Sequence, residues 1–513
     1  MTFSLQDTPV LVIGAGIMGA GIAQVAAQAG HTVFLFDLRD GIAAEAKAKL
    51  AATLAGLVAK GKLDDAAVQA TLARIQPVAT LQEAASARLV VEAIVEKLDA
   101  KRSLFQQLEG VLGDAAVLAT NTSSISVTAI ANGLKHPGRL VGMHFFNPVP
   151  LMKLVEVVSG LQTSPAVAEA IFTLAQAWGK TAVHARSTPG FIVNRIARPY
   201  YAEALALLQE QAATPAVIDA CLRAAGFRMG PCELMDLIGH DTNFAVTQSV
   251  FEANFFDKRY VPSGVQREMV DGGLLGRKSG RGFYTYPATD AALPVTVQAA
   301  PGTAREVTVH GSGTIAEHLE AAATRALAAQ GWGPARERAS GWVGIVIDGA
   351  VLCVSDGRTA SEMATVHGTP DVAVFDRPVG TLAPGSALAY ALAGAASAAW
   401  RAEAAAWLAA LGFAPQRVAD TPGLVVTRTL AMLINEGADA VQQGVCTPAG
   451  ADAAMKLGVN YPQGPFEWLA AWRAEGVIGV LDSLDACYRG ERYRVSPWLR
   501  RAALQRPVAD AGS

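Results

Sequence analysis

A chain of 513 residues is longer than one hydrophobic core serves, so three or four units are expected. Apolar residues make up 51% and charged residues 17%, which excludes wholesale disorder, and a net charge of -3 gives no reason to expect nucleic acid or an anionic membrane as partner. Five scattered cysteines without a CxxC pair exclude a disulfide frame and a zinc site, and read as reduced thiols of a cytoplasmic protein.

Met1 to Pro9 has no basic stretch followed by an apolar core, so no signal peptide is expected. Val10 to Ile13 (VLVI) is the β-branched, aliphatic run of a buried parallel strand. Gly14-Ala15-Gly16-Ile17-Met18-Gly19 follows at once. Ala20 to Ala29 then reads as a helix closed by Gly30, and Thr32 to Phe36 as a second strand ending on Asp37. The first glycine allows a tight turn, the second lets the backbone approach a diphosphate, and the third lets the helix pack against the strand. The diphosphate rests on unpaired N–H groups at the helix start, the position of Ile17 and Met18. Asp37 is placed to accept hydrogen bonds from ribose hydroxyls and to repel a 2′-phosphate, which makes the cofactor NAD; Arg39 close by speaks the other way.

Ala43 to Ile75 reads as a helical pair bearing Lys47, Lys49, Lys60 and Lys62, a pattern that is ordinarily a solvated face. Three aliphatic runs then end in polar groups: Leu89 to Glu96 (LVVEAIVE) with Glu92 and Glu96, followed by Lys101; Leu118 to Ser124 (LATNTSS); and Leu140 to Asn147 (LVGMHFFN), broken by Pro148. In an open α/β sheet, ligands bind at the carboxyl ends of the strands, where these clusters fall. His144 has the proton affinity of a general base near neutral pH, and Glu156, a lone acid inside LVEVV, is a candidate partner for its second nitrogen. On chemistry alone, a satisfied core histidine beside an edge-strand charge also stands. Thr188-Pro189-Gly190 reads as a helix start, with Thr at the cap.

Gly14 to Gly19, Glu92 to Glu96, Asn121 to Ser124, His144 to Pro148 and Thr188 to Arg195 together resemble the (S)-3-hydroxyacyl-CoA dehydrogenase family, in order as far as about Tyr286. The resemblance implies a Rossmann domain followed by an all-α domain, with acyl-CoA as substrate. It makes His144 the base and Glu156 its partner, and it sets Ser123 and Asn194 on the reacting hydroxyl and thioester carbonyl. Asp37, Glu96, Lys101, Ser123, Asn147 and Lys278 line the cofactor side, and the coenzyme A contacts fall on Thr53 and Lys60. Ammonium groups on that helical pair suit coenzyme A phosphates.

The second half repeats the first. Thr421 to Arg428 (TPGLVVTR) echoes Thr188 to Arg195 at an offset of 233, and Gly464 to Leu469 echoes Gly230 to Met235. Val307 to Ala316 resembles a second strand and glycine loop, followed by a helical run from Glu317 to Gln330. No acid matches Asp37 there, no HFFNP follows, and Thr427 stands where Asn194 does. The expected organisation is therefore 1–186, Rossmann; 187–286, helical substrate and dimerisation domain; 287–419, degenerate Rossmann-like; and 420–513, second helical domain. One NAD site per chain follows. Pro378 to Trp400 carries no charge over a span that could cross a bilayer, about 20 residues, but its small side chains give a weak transfer free energy; a buried small-residue helix is expected.

The long two-unit arrangement resembles family members of bacterial phenylacetate degradation, which act on 3-hydroxyadipyl-CoA. A 3-hydroxybutyryl-CoA dehydrogenase, or a non-catalytic crystallin-like NAD-binding protein, are the competing readings. The expected assembly is a homodimer, or a monomer whose duplication supplies the same interface.

Overall fold

The computed structural model describes residues 4–287, 303–380 and 385–505. The described residues pack as two compact units, one drawn from 1–195 with 440–460, the other from 196–439 with 461 onward. Among them no helix is long and apolar enough to cross a membrane.

The first unit holds a sheet of strands β1 (Val10–Ile13), β2 (Val33–Phe36), β3 (Ile75–Pro77), β4 (Leu89–Glu92), β5 (Val117–Thr120), β6 (Leu140–Phe145), β7 (Leu154–Ser159) and β8 (Thr181–Arg186). They lie in the order β3-β2-β1-β4-β5-β6-β7-β8, parallel throughout except between β6 and β7. β1, β4 and β5 are buried along their whole length, as the middle of a parallel sheet requires. Helix α1 (Ile17–Gln28) follows the glycine loop directly.

The expected helix start at Thr188 is corrected. The chain turns there, with Gly190 (φ 77°) and Phe191 (φ 47°) left-handed, and the helix begins at Val193. The acceptor for its free N–H groups is the distant carboxylate of Glu156, so no threonine cap is needed. A second feature was outside local reach: helix Pro448–Val459, from the other end of the sequence, belongs to this unit and packs on β7 and β8. Gly458 makes the approach possible, since a Cβ there would stand 2.7 Å from Leu154, 3.0 Å from Val193 and 3.6 Å from Phe146.

The second unit holds β9 (Val307–His310), β10 (Ala335–Glu337), β11 (Gly344–Ile347), β12 (Ala350–Val354), β13 (Val372–Phe375), β14 (Ser386–Leu392) and β15 (Phe413–Arg417), in the order β10-β9-β11-β12-β13-β14-β15. From β12 outward the pairings run parallel, antiparallel, parallel, the pattern of β5 to β8. The second glycine loop is present, with Gly311 (φ 90°) and Gly313 (φ 87°) before helix Thr314–Leu327. Its register explains the missing acid. Gly14 N–H donates to Phe36 O and Asp37 follows; Gly311 N–H donates to Glu337 O, and Arg338 follows.

The helix expected between Pro378 and Trp400 is also corrected: Ser386–Leu392 forms strand β14, and a helix begins only at Ala398. Alanine favours a helix, but Leu388, Tyr390 and Leu392 alternate onto one face and enter the core, while helix Pro215–Ala224 also packs on the strand.

Within this unit the repeat is reciprocal. Glu203 accepts from Arg492 at 2.8 Å and Tyr493 at 3.1 Å; Glu436 accepts from Arg259 at 3.4 Å and Tyr260 at 2.6 Å. The same offset of 233 relates the two sets. Each helical half gives an acid to the other's Arg-Tyr pair, the pattern of an isologous two-fold interface.

Candidate active site

The antiparallel register of β6 and β7 sets His144 opposite Glu156. His144 Nδ1 lies 2.6 Å from Glu156 Oε2, and both side chains are buried. Glu156 Oε1 accepts the N–H groups of Ile192 at 3.1 Å and Val193 at 2.9 Å. A buried carboxylate must be paired, and here its partners divide between the imidazole and the turn that delivers Asn194. The carboxylate assigns the Nδ1 proton, and Nε2 has no protein partner among the described residues. The rings of Phe146 and Phe191 flank the imidazole, with centroids 4.5 and 5.9 Å away.

At the end of β5 the hydroxyl-rich turn folds onto Glu96. Its Oε1 accepts from Thr122 Oγ1 at 2.7 Å, Ser123 N–H at 2.9 Å and Ser123 Oγ at 3.2 Å. Burial by itself raises the Glu96 pKa, but the charge of Lys101 and the bonds from Thr122 and Ser123 hold it below the usual carboxylate range. Asn194 Nδ2 donates to Ser123 O at 3.3 Å. Ser123, Glu96 and Asn194 thus form one connected group, and His144, Glu156 and the turn before Asn194 form another that joins it.

Lys101 is buried, 2.6 Å from Glu92 Oε1 and 3.3 Å from Glu96 Oε2. Glu92 in turn accepts from Thr120 Oγ1 and Ile94 N–H, each at 2.7 Å. Sequence reasoning set Lys101 against the cofactor and gave Glu92 no role; an acid within an aliphatic strand, nine residues before a lysine, was the available signal. Asn121 was missed likewise. Its Oδ1 accepts Phe145 N–H at 2.8 Å and ties the end of β5 to β6.

The glycine loop fits a dinucleotide. A Cβ at Gly14 would stand 2.5 Å from Ala93 O, and one at Gly19 would stand 1.7 Å from Gly14 O, so packing demands both glycines. A Cβ at Gly16 meets nothing within 4 Å, which leaves open space beside a helix start with no side-chain cap, at Ile17 and Met18. Asp37 Oδ2 accepts Ala15 N–H at 2.9 Å, and Oδ1 takes the Arg39 N–H and Nε at 3.1 and 3.2 Å. Burial pushes the Asp37 carboxyl up, but these bonds hold it below its ordinary value. Arg39 is therefore paired with the acid it was expected to oppose.

The remaining predicted residues are not members of these hydrogen-bonded groups. Asn147 is exposed after β6, and Thr53 and Lys60 lie exposed along and just beyond helix Ile42–Ala59. Lys47 is spent on Ile75 O at 2.7 Å. Lys278 lies in the second unit, in an ion pair with Asp241. No group of metal-binding side chains occurs among the described residues.

Residues 9–188 match the NAD-binding domain of 3-hydroxyacyl-CoA dehydrogenase, residues 190–286 and 423–508 its C-terminal domain, and residues 352–422 the 3-hydroxybutyryl-CoA dehydrogenase reduced Rossmann-fold domain. The chain is 44% identical over 96% of its length to a 3-hydroxyadipyl-CoA dehydrogenase of Escherichia coli, covering 97% of that protein. A human mitochondrial hydroxyacyl-coenzyme A dehydrogenase is 42% identical over 54% of this chain and 90% of its own length. A crystal structure of 3-hydroxybutyryl-CoA dehydrogenase from E. coli K12 superposes with a TM-score of 0.87 at 42% identity, covering 98% of this chain and 99% of that one.

Proposed function

The chain belongs to the 3-hydroxyacyl-CoA dehydrogenase family and is an NAD-dependent enzyme of that class, and from this premise we propose that it oxidises (S)-3-hydroxyadipyl-CoA to 3-oxoadipyl-CoA, in cytoplasmic phenylacetate catabolism. The observation that carries the chemistry is the buried His144–Glu156 pair at the carboxyl end of β6. End-to-end likeness to a 3-hydroxyadipyl-CoA dehydrogenase supports the substrate.

The 3-hydroxyl lies between His144 and Ser123. His144 Nε2 takes the hydroxyl proton, while Glu156 holds the Nδ1 proton and stabilises the imidazolium that forms. Asn194 and Ser123 hold the hydroxyl and the thioester carbonyl, and Glu96 fixes Ser123. NAD, which the glycine loop and Asp37 would hold, would supply the acceptor for the hydride leaving C3 as the C3–O bond becomes a carbonyl. Asp37, Glu96, Lys101, Asn147 and Lys278 are assigned to the cofactor side, and Thr53 and Lys60 to coenzyme A. The four sequence segments, with boundaries after 186, 286 and 419, are two copies of one enzyme, the second retired from catalysis.

A C4 substrate is the second reading, favoured by the superposing 3-hydroxybutyryl-CoA dehydrogenase. Comparing kcat/KM for the hydroxyadipyl and hydroxybutyryl thioesters decides between them: a strong preference for the C4 thioester overturns the C6 assignment.

A further inference from the structure

The uncharged stretch from Pro378 to Trp400 begins directly after an arginine, and that arginine opens into a pocket of the second unit. Arg377 follows Asp376 at the end of β13, the strand whose neighbours match those of β6, the strand of His144. Asp376 is fully engaged: it accepts the N–H groups of Val425, Val426 and Thr427 and the Thr427 hydroxyl. It therefore holds the turn that Glu156 holds in the first unit, with no histidine attached.

Arg377 is not engaged in that way. Its backbone N–H donates to Thr427 Oγ1 at 3.0 Å, and its guanidinium lies over the Trp472 ring, 4.8 Å from the centroid. No hydrogen-bond acceptor meets the guanidinium among the described residues, and no acid occurs from 378 to 400 to supply one. A stacked guanidinium leaves its edge N–H groups facing outward, a fork that matches a carboxylate. Burial lowers its pKa to about 10, the mark of a cation deprived of water without a counter-charge.

The pocket encloses only about 20 Å³ and opens to solvent, and Cys221, Ala225, Leu388, Phe413 and Val426 give it an apolar wall beside Arg377. One cation against an apolar wall selects a singly charged head with a short hydrocarbon tail. A phosphate is disfavoured, because the backbone N–H groups that would cradle it are taken by Asp376. We propose that the relic of the second active site is a binding site for a short-chain carboxylate, with its head on Arg377 and its tail against Leu388, Phe413 and Val426.

Titration calorimetry of the full chain with butyrate tests this. Butyrate is expected to show a binding event that the Arg377→Met variant lacks, while 1-butanol shows none and turnover of 3-hydroxybutyryl-CoA by the variant is unchanged. Equal butyrate binding in the variant, or no binding in the wild type, overturns the proposal; binding of inorganic phosphate in place of butyrate overturns the ligand class. Phenylglyoxal labelling of the wild type, read at Arg377 by peptide mass spectrometry, needs no variant. Butyrate is expected to slow it, and labelling unaffected by butyrate overturns the site.

Discussion

His144 and Glu156 meet across one antiparallel neighbour pair, and the oxygen of Glu156 that does not touch the imidazole closes the turn leading to Asn194. One buried carboxylate therefore orients the imidazole and holds the turn that places the amide. Glu156→Gln is expected to lower kcat roughly 100-fold or more, by weakening the hold on the tautomer and the imidazolium. It also weakens the bonds to Ile192 and Val193, at a cost of about 2 kcal/mol in stability. Kinetics and urea melts separate the two effects. A destabilised variant with normal kcat leaves Glu156 a structural role alone.

His144→Ala is expected to leave NADH affinity intact, since no loop glycine and no part of Asp37 touches the ring, and to lower turnover by roughly 100-fold or more. Fluorescence titration of NADH beside steady-state kinetics reads both quantities. Near-normal turnover removes His144 from the mechanism.

Arg338 occupies the position after β10 that Asp37 occupies after β2, and β11 is inserted antiparallel beside β9. Calorimetry is expected to count one NAD site per chain. Two sites of similar affinity contradict the retirement of the second loop.

Gly458→Val inserts a side chain where a single Cβ would already stand 2.7 Å from Leu154. Overpacking of this kind costs about 1–3 kcal/mol. The displaced groups lie beside the site, because Val193 precedes Asn194 and Phe146 flanks His144, so kcat is expected to fall along with stability. Unchanged kcat and Tm would show that this helix plays no part in shaping the site.

Lys180 donates to the carbonyls of Val149 and Met152, at 2.5 and 2.8 Å. Burial, aided by the charge of Lys153, lowers its pKa from 10.5 to about 8. Between those values the folded chain binds fewer protons at this site than the unfolded chain does, so rising pH favours folding there. Relative to Lys180→Met, the wild type is expected to gain stability from pH 8 towards 10.5, with a constant difference below 8. Urea melts of both proteins at pH 7 to 10 check the sign, and a difference that ignores pH contradicts it.

The order β1, glycine loop, α1, β2 was legible because each signal is local: a β-branched run, a left-handed glycine, an acid at a strand end. His144 and Glu156 were legible as residue types out of place in apolar strands. What escaped was set by distant partners. Thr188 has the chemistry of a cap, but the acceptor that closes the turn is Glu156, on another strand. Ala387, Ala389 and Ala391 favour a helix in isolation, but β13 and β15 recruit them into a sheet. Lys101 reads from the sequence as a cofactor-side cation, and its buried pairing with Glu92 at the end of β4 depends on a contact that no local pattern records. The covering of β7 and β8 by Pro448–Val459 depends on how the chain returns on itself, which no local pattern records.

The paired acids Glu203 and Glu436 bear on how the molecule behaves when dilute. Two separate chains that exchange such contacts part as their concentration falls. Here both sides of the exchange lie on one polypeptide, with an effective concentration on the order of millimolar whatever the amount of protein present. Each half also draws part of its folding free energy from the other. The second helical half therefore has a mechanical reason to stay folded whatever its chemistry, and one polypeptide carries the two as permanent counterparts.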